Sequence, residues 1–318
     1  MRRALDASLE VRTTTSPNPW VGCVIVAPGQ PPYVGATEPP GGPHAEAVAL
    51  AAAGGAVAGA TVYVTLEPCS HHGRTPPCAD ALIAAGVKRV VVAIEDPDPK
   101  VAGRGIARLR AAGIDVEVGL EADEAADVLA PYLKHRRTGR PWVVLKLAVT
   151  LDGRIAAPDG SSQWLTGPEA RRDAHLLRAH SDAILVGAGT VRADDPSLTV
   201  RHVTGRDPLR VVLGSAPAGA RVLPALELSG PLDEVLNELG RRDVLQVLVE
   251  GGAQVAHDFH AQGLVDRYVL YLAPALFGGD DARGAFAGPG APSMADLWRG
   301  RIIDVQRVGD DLRVELAG

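Results

Sequence analysis

From Val21 to Leu120 short apolar, β-rich runs alternate with alanine-rich helical stretches, in the order VGCVIV, AEAVALAAAG, TVYVTLE, ADALIAAGV, RVVVAI, GIARLRAAG and IDVEVG. Strand-length runs separated by helix-length ones predict a layered α/β domain with helices packed on a central sheet. The segment EADEAADVLAPYLKHRR reads as one helix ending at Thr138-Gly139 before Pro141, which places a boundary near residue 140. Beyond it, WVVLKLAVTL, AILVGAG, RVVLGS, VLQVLVE and DRYVLYLAP read as strands, and RIIDVQRVG with DLRVELA as a closing antiparallel hairpin. Helical patterns at PEARRDAHLLRAH, LDEVLNELG and AQVAHDFHAQG lie between them, and residues 216–231, rich in Pro, Gly and Ala, read as loop. No internal repeat is visible.

A length of 318 residues is about twice the ~150-residue prior for one domain, so the expectation is two domains, 1–140 and 141–318. With 46% hydrophobic and 22% charged residues the chain has material for a core in each half. Its 32 basic and 38 acidic residues give a net charge of −6 with no basic stripe, which argues against a nucleic-acid surface. Apolar runs such as Val90 to Ile94 fall far short of the ~20 residues of a membrane span. The amino terminus reaches Asp6 and Glu10 before any signal-like apolar run, so no membrane association and a cytoplasmic location are expected. Three cysteines, Cys23, Cys69 and Cys78, are too few and odd in number for a disulfide framework. Two of them close together point to metal.

In PHAEAV, His44 and Glu46 open a helix after a Pro- and Gly-rich loop; in TLEPCSHHGRTPPCADAL, Cys69 follows a strand and Cys78 precedes a helix. One imidazole and two thiolates match the ligand count of a catalytic zinc, which keeps its fourth position for water. Glu46 would sit beside that position as a proton carrier. This is the chemistry of hydrolytic deamination, and the order matches the H-x-E…P-C signature of zinc nucleobase deaminases, in which the second cysteine comes after only two residues. Here eight intervene, Ser70 to Pro77. Such an insertion at a pocket rim would carry substrate contacts, and it holds His71, His72 and Arg74. A closed structural zinc, cysteines that are merely core, or His71 or His72 as a competing ligand remain open on spacing alone, and Cys23, inside an apolar strand, reads as core.

Taken together, PNPWVGCVIV, GGPHAEAVAL, VTLEPCSHHGRTPPCADALIAAGV and EDPDPKVAGRG resemble the bifunctional deaminase-reductase of riboflavin biosynthesis. The resemblance continues through LKLAVTLDGRIA, GSSQWLTGPEARRDAHLLRAHSDAILVGAGTVRADDPSLTVR and LVEGGAQVAHDF, and so covers nearly the whole chain. It implies an α/β chain with an N-terminal cytidine-deaminase-like three-layer domain and a C-terminal dihydrofolate-reductase-like domain, using Zn2+ and NADPH. His44, Cys69 and Cys78 would hold the zinc and Glu46 would be catalytic. Asn18 and Arg74 would meet the substrate. The implied reactions are deamination of 2,5-diamino-6-ribosylamino-4(3H)-pyrimidinone 5′-phosphate and NADPH reduction of its ribosyl group to ribityl. The partners would be pyrimidine ribosyl phosphates, with a homo-oligomer expected.

In the second half the nearest dinucleotide fingerprint, Gly187 to Arg192, has Arg where the third glycine belongs and argues against a Rossmann domain. A stronger feature is Leu248-Val249-Glu250-Gly251-Gly252-Ala253, a strand passing through two glycines into a helix, since free amides at a helix start suit phosphates. By resemblance Ala148, Trp164, Thr190, Asp194, Ser215 and the turn Gly252, Ala253, Gln254, Val255, Ala256, His257 and Asp258 contact NADPH. Lys146, Ser162, Arg178, Leu198, Arg201 and Glu250 contact the substrate, Arg178 and Arg201 suiting a sugar phosphate because guanidinium presents a fork of donors. Lys146 and Asp152 would orient the sugar or pair with each other. Two departures stand out: Thr37 where the family has His, and a shortened 216–231 segment.

Overall fold

The computed structural model describes residues 1–70 and 76–318, and the chain forms two compact units, Met1–Gly139 and Arg140–Gly318. The first runs α1 (Arg2–Glu10), β1 (Gly22–Val26), β2 (Tyr33–Ala36), α2 (Ala45–Ala53), β3 (Thr61–Val64), α3 (Cys78–Ala84), β4 (Arg89–Val92), α4 (Arg104–Ala111), β5 (Asp115–Val118), α5 (Ala122–Val128) and α6 (Ala130–Thr138). Its sheet has the order β2-β1-β3-β4-β5, antiparallel at the β2-β1-β3 end and parallel from β3 to β5.

Two glycines show why this sheet carries helices on both faces. A Cβ on Gly22 would lie 1.8 Å from the Ala4 carbonyl of α1, and one on Gly35 would lie 2.3 Å from the Ala45 carbonyl of α2. Gly22 pairs with Ala36 whereas Gly35 pairs with Cys23, so the two glycines point to opposite faces. Helices α1 and α2 therefore sandwich the sheet in three layers. The pairing also brings the start of β1 and the ends of β2, β3 and β4 to one edge, where Asn18, His44, Cys69 and the 95–103 segment emerge.

Some expectations are corrected. The single helix over 121–137 is two, α5 and α6, because Pro131 in the first turn of α6 lacks the N–H that would continue the ladder. Helix α1 and strand β2 had no sequence prediction.

The second unit runs β6 (Trp142–Thr150), β7 (Arg154–Ala156), α7 (Pro168–Ala179), β8 (Ala183–Gly187), α8 (Ala188–Asp194), β9 (Leu209–Leu213), β10 (Leu226–Leu228), α9 (Leu232–Arg241), β11 (Gln246–Val249), α10 (Ala253–Ala261), β12 (Arg267–Ala273), β13 (Arg283–Gly284), β14 (Arg301–Val308) and β15 (Asp311–Ala317). The main sheet order is β10-β9-β8-β11-β6-β12-β15-β14, parallel up to β12 and antiparallel beyond. The apolar run of β6, interrupted only by Lys146 before its closing Thr150, reflects burial on both faces. Val143, Leu145, Leu147 and Val149 pack with α9 and α10, while Val144 packs with α7 and α8.

Here too the structure corrects the sequence reading. AILVGAG is not all strand: β8 stops at Gly187 and α8 begins. The 216–231 loop contains β10, which pairs in parallel with β9 through Leu226, Glu227 and Leu228. Three alternating residues suffice, with both leucines partly buried and Glu227 exposed.

Candidate active sites

His44 sits at the N-cap of α2 in extended backbone, so its side chain leaves the helix axis while Glu46 lies in the first turn. Cys69 follows β3 and Cys78 is the first residue of α3. The His44 Nδ1 lies 3.6 Å from the Cys69 Sγ and 3.4 Å from the Cys78 Sγ. One ligand atom from each of the three lies within 4.8 Å of the others. Among the described residues this is the one His/Cys/Asp/Glu cluster so arranged. The donor set is a nitrogen and two sulfurs, which zinc prefers and magnesium or calcium does not. The Cys78 N–H donates to the Cys69 sulfur at 3.3 Å. Hydrogen bonds from Cys78 and His44 outweigh burial and hold the Cys69 thiol well below the usual range, which favours the thiolate a metal takes up.

Glu46 is 3% exposed. Burial pushes its carboxyl up to about 7, with the Cys69 charge acting in the same direction and its backbone hydrogen bond and His44 opposing. A carboxyl poised there can accept and return a proton near neutral pH. Asn18 is half-buried in the turn before β1, its N–H on the Thr15 carbonyl. Thr37 is buried, only 3% exposed, and its hydroxyl accepts from the Val21 N–H at 3.1 Å, closing the β1–β2 edge. His71, His72 and Arg74 lie outside the described residues.

In the second unit the candidates gather at the carboxyl ends of the parallel strands, where open α/β sheets bind ligands. Three glycines bring these ends together. A Cβ on Gly187 would meet Val255 at 2.9 Å, one on Gly214 would meet Ala188 at 3.2 Å, and one on Gly252 would meet the Thr190 hydroxyl at 3.1 Å. The first amides of α10 have no helical partner and open beside Thr190. Ala253 and Ala256 are buried and Val255 packs on Gly251, so this turn offers a ligand its backbone together with Gln254, His257 and Asp258. Ser162 donates to Asp194 at 3.4 Å, which joins a substrate candidate to a cofactor candidate. Trp164 is 67% exposed with the Arg171 guanidinium 4.9 Å above its ring. Ser215 is exposed after β9, and Ala148 is partly buried in β6.

Arg178 is not a free fork for a phosphate. Its Nε and Nη2 donate to the two Glu250 oxygens at 2.8 Å each, and its Nη1 donates to the Thr199 carbonyl at 3.1 Å. Burial pushes the Glu250 carboxyl up, but Arg178, with Lys146 and His175, more than reverses this and holds it at about 2. Lys146 is lowered by burial against the attraction of Glu250, and its ammonium lies 5.7 Å from the Tyr271 ring centre. Asp152 does not pair with Lys146; it accepts from the Thr150 hydroxyl and the Phe277 and Gly278 amides. Leu198 is 2% exposed in the core with φ 52°, so it would offer a ligand its backbone. Arg201 is exposed, with its Nη1 on the Ser197 and Thr199 hydroxyls at 2.7 and 2.9 Å. His175, absent from the sequence candidates, accepts from the Arg201 N–H at 3.2 Å and stacks edge-on with His202.

Residues 141–314 match the RibD C-terminal domain, and residues 1–94 match the cytidine and deoxycytidylate deaminase zinc-binding region. The riboflavin biosynthesis protein RibD of Escherichia coli K12 is 44% identical, over 100% of this chain and 98% of the relative. The chain belongs to the RibD family. The RibD of Mycobacterium tuberculosis H37Rv is 46% identical, over 99% of this chain and 96% of its own. The solved RibD of Acinetobacter baumannii, form 1, superposes with a TM-score of 0.93 at 40% identity, covering 99% of this chain and 97% of the other. A deaminase/reductase structure from Thermotoga maritima gives 0.90 at 33% identity, covering 100% and 97%. As a RibD-family protein the chain is a bifunctional enzyme of riboflavin biosynthesis, with a cytidine-deaminase-like domain of the zinc-binding kind and a reductase domain. No helix among the described residues is long and apolar enough to cross a membrane.

Proposed function

We propose that residues 1–140 deaminate 2,5-diamino-6-ribosylamino-4(3H)-pyrimidinone 5′-phosphate, and that residues 141–318 then reduce the ribosyl group of the resulting aminouracil to ribityl with NADPH, in the cytoplasm. The observation that carries this reading is the convergence of His44, Cys69 and Cys78 with buried Glu46 beside them. The substrates are named after the solved Thermotoga maritima relative, a diaminohydroxyphosphoribosylaminopyrimidine deaminase/5-amino-6-(5-phosphoribosylamino)uracil reductase. His44, Cys69 and Cys78 would hold zinc, which when bound would supply a Lewis acid able to make water nucleophilic at neutral pH. Glu46 takes the proton of the attacking water on its carboxylate and delivers one to the departing amine, so that water and amidine become carbonyl and ammonia. Asn18 and Arg74 hold the pyrimidine phosphate.

In the reductase the α10 amides at the Gly252 turn, with Thr190, Asp194, Ser215, Trp164 and Ala148, would hold NADPH, which when bound would supply the hydride for C1 of the ribose. Lys146 and Glu250 face the sugar, while Arg178 fixes Glu250. Ser162 and the Leu198 backbone complete the substrate contacts, and Arg201 is the phosphate ligand. Exposed Ile302 and Val305 on β14, 59% and 54% accessible, support a homo-oligomer.

The test is elemental analysis with a two-step assay. About one zinc per chain is expected, with ammonia release independent of NADPH and NADPH oxidation dependent on the deaminated product. Protein purified without chelator that holds no zinc, or a third ligand from His71 or His72, overturns the metal assignment. Arg201→Ala should raise the reductase KM for the phosphorylated substrate about 10- to 100-fold, the value of a charge-assisted hydrogen bond. An equal effect on dephosphorylated substrate removes the phosphate role.

A further inference from the structure

Two residues before Cys69, Glu67 is a carboxylate only 4% exposed. No cation pairs with it among the described residues. Instead four backbone amides converge on its two oxygens: Asp96 and Gly103 donate to Oε2 at 3.2 and 2.9 Å, and Gly105 and Ile106 donate to Oε1 at 2.8 and 3.1 Å. The last two open α4, an anion-favouring helix end. The clamp is closed from the other side as well, since a Cβ on Gly105 would lie 1.9 Å from the Pro68 carbonyl. Glu67 and Pro68 are thus seated against the start of α4 with no slack.

Pro68 leads directly into Cys69, whose carbonyl accepts from the Ala79 N–H at 3.1 Å and whose sulfur accepts from the Cys78 N–H at 3.3 Å. The seat of Glu67 is therefore transmitted to both thiols. It also reaches the neighbouring segment: Asp96, tethered to Glu67 by its N–H, accepts the Tyr132 hydroxyl at 3.1 Å and the Asp98 N–H at 2.9 Å. We propose that Glu67 is a positioning residue of the deaminase centre, fixing Cys69 and the 96–103 segment in one arrangement. The proposal rests on the reading of Cys69 as a metal ligand.

The test uses the full-length protein with Glu67→Gln, which sets an amide NH2 against amide donors, and Glu67→Asp, whose shorter carboxylate cannot span both amide pairs. Val116→Ala, in β5 of the same unit, is the control for lost stability alone. Groups that orient metal ligands from behind are worth ~10–100-fold in affinity or activity, so chelator competition should show zinc affinity lowered by that order in the Glu67 variants. Their cobalt-substituted forms should show an altered absorption envelope, and kcat of deamination should fall further than KM rises. Reductase turnover should hold. Wild-type zinc affinity and cobalt spectrum in both variants, changes no larger than those of Val116→Ala at matched stability loss, or failure of both to fold overturn the proposal. Cys69→Ser in the same competition separates the two questions: if it leaves zinc affinity unchanged, the ligand reading fails whatever Glu67 does.

Discussion

Glu46→Gln is expected to reduce deamination by about 10²–10⁴ while NADPH oxidation on supplied aminouracil substrate continues at the wild-type rate. The factor is the value of proton transfer by a positioned carboxylate. Glutamine keeps the shape and the buried position in the first turn of α2, so the loss is of the proton-carrying group and not of packing. Zinc content should be unchanged, because Glu46 is outside the three-ligand cluster. The measurement is ammonia release and NADPH consumption assayed separately on one preparation. Parallel loss of both activities would contradict two separate sites.

The second large effect is on the reductase unit. Arg178 and Glu250 form a bidentate pair with side chains only 14% and 10% exposed. Removing one partner of such a pair costs about 3–5 kcal/mol because the other charge is left buried. For a unit of this size that lowers the unfolding temperature by on the order of 10 °C. Either Arg178→Met or Glu250→Gln should do so, and the double variant should cost less than their sum.

The pair also carries a pH signature. With Glu250 at about 2 in the folded unit against 4.5 ordinarily, the unfolded chain binds more protons between those values. The stabilisation is therefore complete above the ordinary value and is lost as pH falls toward the folded one. The gap in unfolding temperature between wild type and Glu250→Gln should be widest near neutral pH and should close on acidification. A gap that persists in acid would show that packing, not charge, is what the substitution removes.

The His44, Cys69 and Cys78 cluster was legible in the sequence because each of the three sits at an element boundary: His44 at a helix start, Cys69 after a strand, Cys78 at the next helix. Short-range signals mark such boundaries. The alternation of strands and helices likewise determined the layered α/β class, the change of domain near residue 140 and the closing hairpin, since those depend on period and turn chemistry. Helix α8 and strand β10 escaped because a seven-residue helix after a glycine and a three-residue strand among prolines carry too little periodicity to register.

What only tertiary structure decided is which polar groups are already spent. Arg178 looked like a phosphate fork, yet its partner Glu250 is 72 positions away in sequence. Thr37 stands out in the sequence only as a departure from the family's His, and it is the fold that sets its hydroxyl on the Val21 N–H beside the β1–β2 pair. Glu67 carried no signal at all, because the four amides that hold it lie 29 to 39 residues further along. Sequence pattern reports local conformational preference and residue chemistry. Partner choice depends on strand order and register, which place distant residues within hydrogen-bond reach, and that is set by how the whole sheet packs.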